Sequence, residues 1–196
     1  MIRVGLARET DWDGWRDAAR ALARAGVDPA DTDWVVGEPG DALPAGGAPV
    51  KVPRALAELA ALAFQAREPE RFGVLYGLIA RRVTGSAGTD PADADWALAR
   101  SWALAARADA HRMRTHLRFL PSGNGFLGWY APEHLVLEAN AKLIARRFPD
   151  APFAIATPDG AARWDGESLA IGPGPRDPGG DEGLAAWWDA HREAWE

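Results

Sequence analysis

Apolar residues spaced alternately three and four apart constrain this chain more than any other feature. Trp96, Ala99, Ala103, Ala106, Ala110, Met113 and Leu117 follow that spacing without interruption. This is the period of an α-helix with one apolar stripe. Asp90 and Pro91 stand in front of it as an N-cap and a first helical position. Leu98 and Trp102 fall on the other side, so the first half is expected to be buried on two faces. A helix of this kind organises what surrounds it, and the rest of the chain is expected to pack around it.

On the N-terminal side, Ile2 to Leu6 and Trp34 to Val36 read as short strands. Between them, Thr10 and Asp13 resemble a capping box; Trp12, Trp15, Ala19, Leu22 and Ala23 share a helical face, and Gly26 stops the helix. Residues 37–49 hold four Gly and three Pro and must form a loop. Pro53 and Pro69 open two further helices, with stripes Leu56, Leu59, Ala60, Ala63, Phe64 and Phe72, Leu75, Tyr76, Ile79, Val83.

On the C-terminal side, Ser122-Gly123-Asn124-Gly125 between two apolar runs signals a hairpin. Pro132 is expected to open a helix whose buried face is Leu135, Val136, Ala139, Leu143, Ile144 and Phe148. Short strands follow at 153–156, 162–164 and 169–171, turned by Asp159-Gly160 and Asp165-Gly166. An acidic last helix carries Leu184, Trp187, Trp188 and Trp195. Helices and short antiparallel strands or hairpins in separate runs give an α+β fold, with helices packed around a central helix. The weakest stretch, 85–89, suggests an N-terminal α/β part over 1–86 and a C-terminal α+β part over 90–196, unless the whole is one compact unit.

Composition excludes several classes. The 196 residues contain no cysteine, so disulfide scaffolds, thiolate zinc sites, self-held iron–sulfur clusters and cysteine nucleophiles are ruled out. His111 and His116 are five apart, a poor spacing for a shared metal on a helix, so neither a metal nor another cofactor is expected. No apolar run approaches the ~20 residues of a membrane span, and the start lacks a signal-peptide core. A soluble, cytoplasmic protein without membrane partners is expected. The excess of Arg over Lys (20 against 2) fits a GC-rich bacterial genome.

The net charge of −6 conceals an asymmetry. Residues 100–118 hold five Arg and one Asp, a local +4, which leaves −10 on the remainder. Arg100, Arg107, His111, Arg114 and Arg118 would align along a helix, with Arg112 beside them and Arg146 and Arg147 as a second cluster. Such a face either pairs internally with acids or contacts phosphates. Ten Trp against two Tyr pose a similar choice: Trp129-Tyr130 and Trp164 either pack in the core or stack bases. Glu133 suits a helix N-terminus electrostatically; alternatively His134 or His111 acts as a general base with Glu133, Asp159 or Asp165. No phosphate-binding Gly-rich loop, nucleophile elbow or HExxH is present.

Three segments, DAHRMRTHLRF (109–119), GWYAPEHLVLEANAKLIARRF (128–148) and TPDGAARWDGESLAIGPG (157–174), resemble a bacterial domain of unknown function whose members carry a DNA metabolism or repair label. That family occurs alone beside a radical SAM protein, or as the N-terminal half of uracil-DNA glycosylase-superfamily proteins. Residues 11–36 and 69–82 are similar to the N-terminal part of those longer proteins. His111, Met113, Arg118 and Phe119 match one family segment; Pro132, Glu133 and His134 match a second; Arg146, Arg147 and Phe148 match a third. Asp159, Gly160, Trp164, Asp165 and Gly166 match its turn region, while Arg114 stands where the family commonly has His. The family's usual aromatic tail does not follow Glu196, which leaves a chain cut before a further domain or a short variant. The resemblance implies a setting and not a reaction. It leads to the expectation of an accessory module that contacts DNA or a glycosylase or radical SAM partner, without catalysis of its own. The alternatives are an enzyme on nucleic acid and a pure protein adaptor.

Overall fold

A computed structural model describes residues 1–47, 49–83, 85 and 93–191. The expected cap at Asp90-Pro91, nearly all of the expected break at 85–89, and Trp195 lie outside the described residues. The fold is α+β, with six helices and two sheets of short strands among the described residues. It comprises two compact units, Met1–Arg107 and Ala108–Glu196.

In the first unit, strand β1 (Ile2–Leu6) leads into helix α1 (Trp12–Arg24) and strand β2 (Thr32–Val36). Asp11 caps α1, its carboxylate accepting the Gly14 N–H at 3.0 Å. The capping residue is therefore Asp11, not Thr10. Gly26, at φ 69°, ends the helical run at no steric cost. Because α1 returns the chain to the starting end of β1, the two strands pair parallel, Ile2 opposite Thr32. Helices α2 (Arg54–Ala63) and α3 (Arg71–Val83) and the first turns of α4 (Ala94–His116) complete the unit. Its core gathers Trp15, Phe64, Phe72 and Tyr76 with Leu22, Leu56, Leu75, Ala99 and Trp102, and Trp34 packs against them. The stripe of α4 is buried as its spacing requires, from Ala99 to Met113. Leu98, however, is exposed, so the first half of α4 is not covered on two complete faces.

In the second unit, β3 (Arg118–Ser122) and β4 (Gly125–Trp129) form the expected hairpin, with Gly123 at φ 57° in the turn. Helix α5 (Leu137–Arg147) follows, then β5 (Phe153–Thr157), β6 (Gly160–Trp164), β7 (Leu169–Gly172) and α6 (Asp181–His191). The sheet order is β3-β4-β5-β6-β7. Three of its four pairings are antiparallel, but β4 and β5 run parallel because α5 carries the chain back between them.

The register separates the two faces, since cross-strand partners point the same way. Leu127, Ala154, Ala156 and Ala161 share one face and pack against Leu184 of α6, with Trp129, Trp187 and Trp188 beside them. Helix α5 covers the opposite face, against β5, β6 and β7. Its inward residues are Leu137, Asn140, Ala141, Ile144 and Ala145. The face expected from the sequence fails in part: Ala139, Leu143 and Phe148 are exposed. A buried Asn140 occupies the inner face, and the helix starts at Leu137, five residues beyond Pro132.

Candidate functional site

The last turns of α4 build a polar knot around Asp109, whose side chain is 1% exposed. Its Oδ2 accepts the backbone N–H of His134 at 2.8 Å, and its Oδ1 accepts from Arg112 Nη2 at 3.1 Å. The same Arg112 nitrogen lies 2.9 Å from Glu133 Oε2. Two segments far apart in sequence, 109–113 and 132–134, are thus joined by one buried carboxylate. A buried charge needs such partners, and here they fix the irregular stretch before α5. Desolvation works against the Arg112 cation, but the charges of Glu133 and Asp109 outweigh it and raise its pKa. Arg114 donates to Asn140 Oδ1 at 2.6 Å, and Asn140 Nδ2 donates to Met113 Sδ at 3.0 Å.

These bonds revise the expected basic stripe. Arg112 and Arg114 are spent inside the unit. Arg118 is off the helix altogether and opens β3. By contrast Arg118, Arg146 and Arg147 are exposed and have no ion-pair partner among the described residues. Arg107, in the first unit, is likewise exposed without one. Arg146 and Arg147 lie in the last turn of α5, where cations also complement the helix dipole.

The acid–base candidates do not form one constellation. Tyr130, Glu133 and His134 leave the sheet where β4 ends beside Ala156, the end at which Asp159 turns β5 into β6. Asp165 follows β6 at the opposite end, roughly 15–20 Å along the strand from Asp159. His111 is exposed on α4, and its carbonyl accepts from Thr115 Oγ1. Asp165 has a local role: backbone N–H groups of Ser168 and Glu167, and Ser168 Oγ, hydrogen-bond its carboxylate and hold its pKa down at about 2.

The expected stacking residues are likewise tied inward. Trp129 packs against the α6 side of the sheet, opposite Arg118 in register. Tyr130 is half-buried, its backbone N–H donating to Ala156 O at 3.1 Å. Trp164 Nε1 donates to Pro149 O at 2.9 Å, which fastens the turn after Phe148 to β6. The exposed rings are instead Phe119, Phe126 and Phe148, at 36%, 45% and 57%. Sequence reading placed Phe148 on a buried face; the polar Asn140 in the α5 pattern was the signal that this face was misassigned.

Two clefts meet at these phenylalanines. One, of about 230 Å³, is lined by Phe119, Phe126, Ile144, Phe148, Ala151 and Phe153. The other, of about 420 Å³, shares Phe126 and Phe153 and adds polar groups, among them Asn124, Arg163 and Asp165 with Trp164 and Trp188. Neither is lined by His111, Glu133, His134 or Asp159.

The model of a family described as a domain of unknown function, DUF4130, matches residues 69–194. The chain belongs to DUF4130. The DUF4130 segment begins just before α3 and takes in α4 and the whole described second unit, so the Asp109 knot, both clefts, and Arg118, Arg146 and Arg147 lie inside it. Strands β1 and β2, α1 and α2 lie outside it. No curated protein and no solved structure matches the chain. Among the described residues, no helix is long and apolar enough to cross a membrane.

Proposed function

We propose that this DUF4130 chain is an accessory nucleic-acid-binding module of bacterial DNA repair or metabolism, acting with a uracil-DNA glycosylase-type or radical SAM partner. One observation carries the nucleic-acid part. In a chain of net charge −6, Arg118, Arg146 and Arg147 of one unit stay exposed without an ion-pair partner among the described residues. Lys142, on the same helix as Arg146 and Arg147, by contrast pairs with Glu138 at 2.6 Å. Guanidinium groups left open are suited to phosphate oxygens, which they meet with two parallel N–H donors. The DNA setting and the named partners come from the family resemblance of 109–119, 128–148 and 157–174. The separation of Asp159 from Asp165 favours a module without its own acid–base chemistry.

The test is binding to single- and double-stranded DNA and RNA over a range of salt. Affinity should fall steeply with salt, and an Arg118→Glu/Arg146→Glu/Arg147→Glu variant should lose roughly two to three units of log–log slope. The mirror-image variant of Arg112 and Arg114 is a poor probe, because both hold the fold together. Unchanged affinity and slope in the triple variant would overturn the phosphate role.

A further inference from the structure

We infer that the apolar cleft between the end of α5 and the β3–β4 hairpin stacks unpaired bases of a single-stranded nucleic acid. The inference rests on the nucleic-acid reading above and names the form of ligand and the residues that select it. Phe119, Phe126 and Phe148 expose their rings around one cleft, over a floor made by the buried Phe153. Phe119 meets Phe126 and Phe153 edge-on, with centroids 6.4 and 6.1 Å away. Scattered exposed apolar residues need no explanation, but three phenylalanines gathered in one concave patch mark a contact surface.

Charge decides what kind of contact. Arg146 and Arg147 directly precede Phe148 at the end of α5, and both are exposed without an ion-pair partner among the described residues. Arg118, the cross-strand partner of Trp129, lies on the other face of the sheet and takes no part in the cleft. An apolar peptide or lipid tail would fill the cleft but leave those guanidinium groups unanswered. A single strand satisfies both, since its bases present π-faces and its phosphates present charge. A duplex cannot use the cleft, because its bases already stack on one another. Two features equip the site further. Trp164, through its bond to Pro149 O, holds the turn that follows Phe148. Phe126, Phe153 and Trp164 are successive cross-strand partners on one face, so the aromatic surface continues toward Asn124 and Asp165. Those polar side chains can meet the hydrogen-bonding edge of a base stacked beside them.

The experiment measures fluorescence anisotropy of a labelled strand of about 12 nucleotides, its duplex, and a strand with the same backbone whose bases are removed at several positions. The wild-type chain should bind the base-bearing strand roughly tenfold or more tighter than the abasic one. A Phe119→Ser/Phe148→Ser variant should bind both alike, with an unchanged salt slope and circular dichroism spectrum. Phe148→Trp should keep the preference. Equal affinity for abasic and base-bearing strands, or a preference that survives the serine variant, would overturn the stacking site while the phosphate reading stands. Absence of salt-dependent binding to any nucleic acid would overturn both. A concentration-dependent dimer that dissociates in the serine variant would assign the cleft to a second copy of the chain and overturn the inference.

Discussion

The two units use the same residue types in opposite ways. In the first, Phe64 and Phe72 are buried and sandwich a buried arginine, with the Arg71 guanidinium 4.0 Å from the Phe72 centroid. Its Nε donates to Phe64 O, its Nη1 to Glu68 O, and its Nη2 to both the carbonyl and the carboxylate of Glu9. Burial lowers the Arg71 pKa, and the Glu9 carboxylate opposes that shift. In the second unit, exposed arginines directly precede exposed phenylalanines along the chain, at 118–119 and 146–148, with no internal carbonyls answering Arg118, Arg146 or Arg147 among the described residues. An arginine–phenylalanine cluster whose three nitrogens are all engaged from within ties loops together. One that is left open is available for an external anion and an external flat ring.

If that contrast is right, the largest effect falls on the closed cluster. Arg71→Met should destabilise the first unit by about 3 kcal/mol or more, read by urea unfolding, because it orphans three carbonyls in one place. A loss under about 1 kcal/mol would mean that packing on Phe72, and not the hydrogen bonds, holds the cluster. Next comes the buried polar knot around Asp109 in the second unit. Asp109→Ala should cost about 2 kcal/mol by removing the partner of the His134 N–H and of Arg112. Hydrogen exchange at His134 should rise with it, and an unprotected His134 amide in the wild type would refute the assignment.

Tyr76 tests the first unit through pH. Burial, helped by the charge of Asp28, pushes its hydroxyl up to about 12, and the hydroxyl donates to Val27 O at 2.7 Å. The folded chain therefore keeps this proton where the unfolded chain has lost it. The contribution is complete below pH ~10 and is lost as pH rises toward about 12. Tyr76→Phe should cost about 1 kcal/mol at pH 7 and flatten the alkaline limb of the stability curve. The smallest effect is expected at the open cluster. Phe148→Ser should change stability by less than about 0.5 kcal/mol, because the residue is already 57% exposed. A drop of 2 kcal/mol in that variant would show that Phe148 belongs to the core.

Much of the fold was legible in local pattern. The α4 stripe, the Gly26 stop, the Gly123 hairpin and the Trp187-Trp188 helix follow from periodicity and turn chemistry, which act over a few residues. Strand direction was only half legible. Helices α1 and α5 each lie between two strands and so return the chain for parallel pairing, yet short alternating strands read alone as antiparallel. The α5 face was missed because a stripe rule counts only apolar residues, and Asn140 is buried against Arg114 and Met113.

By itself, the sequence determined a cysteine-free chain with one long striped helix, and a local excess of arginine on an acidic background. It also carried the residues that place it in DUF4130. Tertiary structure alone decided which arginines remain available, since pairing of Arg112 with Asp109 and Glu133 depends on bringing residues 109 and 133 together. It decided, too, that phenylalanines and not tryptophans face solvent, because the large indoles of Trp129 and Trp164 find inward partners that no local spacing reveals. Spacing governs what a segment becomes; which side chains are left over depends on every other segment that folds against it.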